Sequence, residues 1–190
     1  MKRQAAIVLL LLAAPLVALS QTEKTVQRIR AVYNDASEQS RLAENDPEHG
    51  ATGPLVMNEL TVNSLNHQWR AVGIYQQRFR FFYRGGDSEE HLYPDELVLV
   101  KADRKVSARS YAEEFLFDKS GRLIFYFQRS ENDDVEPVER RVYFAAGKAV
   151  RVIEDGRSRD RLGKQDTLLA GTIAAKSVQF WNCFKRTIEL

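Results

Sequence analysis

Residues 110–127, SYAEEFLFDKSGRLIFYF, constrain the fold of this chain more than any other stretch. Nine large aliphatic or aromatic residues flank the segment Asp118–Gly121. That segment suits a type I turn followed by a glycine in the left-handed region, the three-residue hairpin loop. With Asp118 set against Arg122, Phe117 faces Leu123, Leu116 faces Ile124 and Phe115 faces Phe125, and further out Glu114 faces Tyr126 and Glu113 faces Phe127. Alternation then sends Tyr111, Glu113, Phe115, Phe117, Leu123, Phe125, Phe127 and Arg129 to one face. Ala112, Glu114, Leu116, Ile124 and Tyr126 go to the other. Near the turn both faces are apolar, so the hairpin has to be central and covered on both sides. The adjacent Glu113 and Glu114 point to opposite faces and cannot share one substrate unless a bulge intervenes.

The rest of the chain supplies the partners for that hairpin. From Leu55 to Glu154 the hydrophobic period is two. In IYQQRFRFFYR, Tyr75, Phe79, Phe81 and Tyr83 alternate with Gln76, Arg78, Arg80 and Arg84, which gives one buried and one cationic face. RGGDSEEH (84–91) reads as a loop, DELVLVKA as a strand turned by Asp103–Lys105, and RRVYF with KAVRVI as a hairpin about Ala146-Gly147. No connection here has the pattern of a crossover helix, so the sheet is expected to be antiparallel. Residues 22–43 carry a helical stripe of Val26, Ile29, Tyr33, Ala36, Ser40 and Ala43, closed by the turn-rich ENDPEHGATGP (44–54). A charged linker, 154–166, precedes a last helix with Asp166 at its N-cap and Leu169, Ile173, Ser177, Phe180 and Phe184 on one face. The expectation is one α+β domain, residues 21–190, with an antiparallel meander of about six strands between an N-terminal and a C-terminal helix.

The first twenty residues are expected to be a secretory signal peptide. Lys2 and Arg3 precede an apolar run from Ala5 to Val17, and Ala18 and Ser20 lie at −3 and −1 of a cut before Gln21. No cysteine stands there to accept a lipid. Export to the periplasm or beyond follows. Without Lys2 and Arg3 the 28 Lys+Arg fall to 26, against 26 Asp+Glu. A formally neutral mature chain gives no ground for a nucleic-acid or acidic-membrane partner, and Lys176, Gln179 and Asn182 speak against a membrane span in the last helix. Cys183, the one cysteine, excludes an internal disulfide and reads as a small buried hydrophobe.

Candidate chemistry is sparse. Glu113 is read as the ion-pair partner of Arg129; as a catalytic carboxylate it would work with Tyr111 and Arg129. Asp87, Glu89, Glu90 and His91 form an acidic loop that could offer oxygen ligands to calcium, without the spacing of a defined calcium loop. His49, His67 and His91 make no metal-binding spacing, and no nucleophile elbow, SxxK or phosphate loop occurs. The series Arg157, Arg159, Arg161 could grip an anionic glycan or phosphate, but Asp155 and Asp160 dilute it toward a solvated linker. The aromatics of the sheet (Tyr75, Phe79, Phe81, Tyr83, Phe115, Phe125, Phe127, Tyr143) form either a packed core or the wall of an apolar cavity. No cofactor is expected.

IRAVYNDA in the first helix and the hairpin pattern YxEEFLFD…GxLIF resemble a group of short exported bacterial proteins without assigned function. The similarity covers much of residues 26–153. It implies the same helix-and-hairpin fold and export, and carries no activity, cofactor or catalytic residue. The leading expectation is a non-enzymatic binding or interaction module whose partner is a protein or envelope component. A carrier of a small apolar ligand and a hydrolase built about Glu113 are the alternatives.

Overall fold

A computed structural model describes residues 2–45, 55–71, 73–86, 89, 93–132 and 135–189, the side chains of 2–20, Asn132 and Val135 excepted. Helix α1 (Lys2–Asn45) leads into β1 (Val56–Val62), β2 (Gln68–Trp69), β3 (Gly73–Arg84), β4 (Glu96–Val106), β5 (Arg109–Phe117), β6 (Leu123–Asn132), β7 (Val135–Ala145), β8 (Lys148–Glu154) and β9 (Arg157–Arg159). Helix α2 (Lys164–Ile188) closes the chain. The strands make one antiparallel sheet in the order β1-β3-β4-β5-β6-β7-β8-β9, with β2 paired to the start of β3. The α+β meander between two helices is therefore the architecture, with nine strands rather than six. The surplus is largely β2 and β9, too short to show a period; β9 falls where the sequence reads as a linker.

The two helices cover opposite faces, and both run across the strands. Glu23 on α1 reaches Arg151 on β8, Arg30 reaches Tyr143 on β7, Tyr33 packs on Phe125 of β6, and Glu44 meets Arg80 and Lys101 on β3 and β4. On the other face Asp166 meets Arg159 on β9, Lys176 meets Glu113 on β5, Phe184 packs on Tyr83 of β3, and Thr187 meets Asn58 on β1. The stripe expected on the first helix is the docked one: Val26, Ile29, Ala36 and Ser40 are buried, with Tyr33 and Ala43 packed beside them. The second helix buries Ile173, Ser177, Phe180 and Phe184. Gly163 is its N-cap, and Asp166 serves from inside the first turn, its carboxylate accepting from the Gly163 N–H at 3.1 Å.

Register rungs explain the packing. Under α1, Phe82, Leu99, Leu116, Phe125 and Tyr143 are neighbours on five successive strands, and all are buried. Under α2 the corresponding rung is Phe81, Val100, Phe115, Tyr126, Val142 and Val152. Each large side chain so buried contributes about 1.5–3 kcal/mol. Cys183 packs at the margin of this second cluster.

The central hairpin departs from the expected register. Its turn is as expected: the Asp118 N–H donates to the Arg122 carbonyl, the Gly121 N–H donates to the Asp118 carbonyl, and Gly121 has φ 74°. Phe117 still faces Leu123, but a bulge then leaves Ile124 without an opposite residue, so Leu116 faces Phe125, Phe115 faces Tyr126, Glu114 faces Phe127 and Glu113 faces Gln128. Beyond the bulge each residue of β6 changes face. Phe125 and Phe127 go to the α1 side and Tyr126 to the α2 side. Likewise β4 does not turn at residues 103–105: it runs on to Val106, and the reversal comes at Ser107, whose φ is 54°.

Phe115 and its rung set the stability of the sheet. Phe115→Ala is expected to cost about 3–5 kcal/mol, whereas Leu42→Ala, on an exposed part of α1, changes it by less than about 0.5 kcal/mol. Urea unfolding of both variants checks this, and equal losses would remove the assigned core.

Candidate functional site

Beyond the apolar rungs the sheet turns polar, and any chemistry on its faces starts there. On the α1 face the next rung is Arg80, Lys101, Glu114, Phe127 and Arg141; the one after is Arg78, Asp103, Ala112, Arg129 and Glu139. Glu44, at the end of α1, is 2.7 Å from the Arg80 guanidinium and 3.1 Å from the Lys101 ammonium, and Arg80 also pairs with Asp103. The Arg80 Nε is buried and has no hydrogen-bond partner among the described residues. The Tyr33 hydroxyl donates to Glu114 Oε2 at 2.8 Å. Burial pushes the Glu114 carboxyl up, against the opposing pull of that hydrogen bond and of Lys101. Burial, with the adjacent Glu114 charge, pushes the Tyr33 hydroxyl up as well.

Glu113 sits in a parallel arrangement on the α2 face. The Tyr126 hydroxyl lies 2.8 Å from Glu113 Oε1, and Lys176 of α2 pairs with Oε2. The expected partner Arg129 is not there: the bulge puts it on the α1 face, where it pairs with Glu131 at 2.6 Å. Arg140 continues the α2-face chain, bonding Gln128 at 3.2 Å and Glu154 at 3.0 Å. Arg159 then bridges Glu154 and Asp166 at 3.2 and 2.9 Å. Arg159, read as part of an anion grip or solvated linker, is instead a strap between β8 and the start of α2. Its hydrogen bond holds the Asp166 carboxyl below the usual carboxylate range.

Tyr111 and Arg129 both border a groove of about 390 Å³ that does not include Glu113, with their side chains on opposite faces of the sheet. Its floor is built from the rungs furthest from α1: Gln76, Lys105, Ser110 and Glu131, then Arg78, Asp103, Ala112 and Arg129. Arg104 and Tyr111 border it from adjacent strands, but alternation turns their side chains to the α2 face, where the Arg104 guanidinium lies 4.3 Å from the Tyr111 ring centroid. Of the cations about the groove, Arg129 pairs with Glu131 and Arg78 lies 3.7 Å from Glu59, while Asp103 is engaged by Arg80. Arg104 and Lys105 have no carboxylate partner among the described residues. The single sequence signal for this site was the cationic alternation of β3; the rest comes from register.

Two further concavities flank the helices. One of about 510 Å³ lies between α1 and the sheet, with Ile29, Val32, Ala36, Val98 and Ile124 among its apolar lining and Arg28, Arg84, Glu96 and Arg122 about it. The other, about 480 Å³, lies beside the first half of α2 against the β7–β8 hairpin. Of the acidic-loop candidates, Asp87, Glu90 and His91 lie outside the described residues, and Glu89 is exposed. Among the described residues no three His, Cys, Asp or Glu gather as metal ligands. Comparison with known protein families, with curated proteins and with solved structures finds no match.

Glu114 offers a test of the buried polar rung. Because burial raises its folded-state pKa, the stability it contributes is full below the unfolded value, about 4.3, and is lost as pH rises through the folded value. Glu114→Gln stays neutral throughout. The variant's melting temperature relative to the parent is expected to rise between about pH 4 and about pH 8. A constant difference, or one of opposite slope, would contradict a desolvated Glu114.

Proposed function

We propose that the chain is an exported, non-enzymatic binding module of the cell envelope, and that it takes a small polar anion into the groove formed by β3 to β6. The observation that carries this reading is the surplus of cations there. Lys105 has no carboxylate partner among the described residues, Arg78 has only Glu59 at 3.7 Å, and the groove carboxylates Asp103 and Glu131 are already engaged by Arg80 and Arg129. Gln76 and Ser110 add hydrogen-bonding groups. A carboxylated or phosphorylated saccharide, or another small envelope component of that chemistry, matches such a lining.

Export is supported by the basic, apolar and small-residue order of the first twenty residues and by the resemblance of the hairpin to exported proteins. Among the described residues no helix is long and apolar enough to cross a membrane. A hydrolase at Glu113 has less support, because both carboxylate oxygens are held by protein groups.

The apolar concavity beside α1 favours a second reading, a carrier of a small apolar ligand. Native mass spectrometry of protein purified from its own envelope separates the two. The expected result is a mature chain starting at Gln21 with an anionic adduct that Lys105→Ala combined with Arg129→Ala removes. An apolar adduct insensitive to those changes but lost in Ile124→Glu would select the carrier. A retained leader, or no adduct under any extraction, would overturn the reading.

A further inference from the structure

The end of the sheet furthest from the two helices carries a second feature that the groove does not use. Leu65, Trp69 and Ile74 are exposed by 77, 48 and 37 %, three large apolar side chains within ten residues. They stand on a small projection. Asn63 fixes its base: the side-chain amide donates to the carbonyls of His67 and Tyr75, and its Oδ1 accepts from the His67 N–H at 3.0 Å. Trp69 and Gln68 then pair with Gly73 and Ile74, while β4 pairs with β3 from Tyr75 onward. The hairpin therefore reaches past the last rung of β4. Trp69 rests on Tyr75 with ring centroids 4.7 Å apart, so the indole is held in place yet half open to solvent. Ile74 stands opposite Gln68 and Trp69 opposite Gly73, so the two side chains leave the hairpin on opposite faces, and the projection exposes apolar surface on both.

Charge indicates what covers it. Arg70 lies in the turn between β2 and β3, Arg104 and Lys105 end β4, and Arg109 begins β5. All four are exposed, and none has a carboxylate partner among the described residues. The acids of this end among the described residues are Asp103 on β4, paired with Arg80, Glu131 on β6, paired with Arg129, and Glu136 on β7. Formal neutrality of residues 21–190 means that no net charge drives adhesion. The attraction is local to the projection.

We infer that this projection is a membrane-surface contact: Leu65, Trp69 and Ile74 enter the interfacial layer of an anionic phospholipid bilayer, and Arg70, Arg109, Arg104 and Lys105 meet its headgroups. Indole is suited to that layer because it combines a large apolar surface with one N–H donor. Three apolar side chains give shallow, reversible insertion, and the cations add the electrostatic share that salt weakens. Arg104 and Lys105 also border the groove, so the two readings share those cations, whereas Leu65, Trp69, Arg70, Ile74 and Arg109 belong to this contact alone.

The test is flotation of the purified chain with vesicles of phosphatidylglycerol and phosphatidylcholine, or of phosphatidylcholine alone, with tryptophan emission recorded in parallel. The expected result is binding to the anionic vesicles, with a blue shift that vanishes in Trp69→Phe, which keeps Trp181 as an internal control. Leu65→Ser combined with Trp69→Ser should abolish flotation. Arg70→Glu combined with Arg109→Glu, both outside the groove lining, should weaken it by roughly tenfold or more. These positions are exposed, so melting temperatures should stay close to the parent's. No flotation, or flotation unchanged by the serine pair, would overturn the inference. So would a dimer in sedimentation velocity that Trp69→Ser converts to monomer without any vesicle binding, since that would assign the projection to a second copy.

Discussion

Phe115 and Leu116 are consecutive residues of one strand, and both are wholly buried. Because neighbouring side chains leave a strand on opposite faces, that pair alone requires the sheet to be covered twice. An antiparallel meander with one solvated face cannot satisfy it. The chain meets the requirement with one helix before the strands and one after them, each laid across the sheet. Every other feature of the fold is arranged about those two contacts.

A helix with its side chains is about 10–12 Å across, and a strand of twelve residues such as β3 is about 40 Å long. A helix crossing the strands therefore covers a band, and the rungs outside it must face water or polar partners. This is why each face reads as an apolar rung followed by a polar one. The adjacent glutamates fall on the first polar rung of their respective faces. Glu114 meets the Tyr33 hydroxyl and Lys101 under α1, and Glu113 meets the Tyr126 hydroxyl and Lys176 under α2. Each carboxylate sits where the cover begins to thin and is held there by a tyrosine. Both serve to locate a helix, and neither is left open to a reacting molecule.

The parts of this design visible in the sequence were the local ones. Alternation in β3, the Asp118–Gly121 turn, the stripes of both helices and the need for double cover are all set by residues within a few positions of one another. What was hidden depends on one residue or on long separation. Ile124 at the bulge is a single extra residue, yet it moves Phe125, Phe127 and Arg129 to the other face. It thereby dissolves the expected Glu113–Arg129 pair. The true partner, Lys176, lies 63 positions away on a helix whose placement no local pattern reveals. Three-residue β9 has no period to detect, and Arg159 within it looks solvated until Glu154 and Asp166 are brought beside it. The groove lining comes from four strands and needs their registers before it can be seen at all.

The two ends of the sheet consequently differ in what they can do. At the Asp118–Gly121 end the structure is closed: Trp181 of α2 lies over Gly121, at a distance where even a methyl group in place of the glycine hydrogen would meet the ring at 3.0 Å. A side chain there would push the helix from the hairpin. At the opposite end, past the bands covered by the helices, rungs of cations and hydrogen-bonding groups lie open beside a projecting tryptophan. Packing holds one end in place, and this permits the other to expose charge and indole without loss of the fold. The groove and the membrane contact proposed for this chain both lie at the end that its helices leave uncovered.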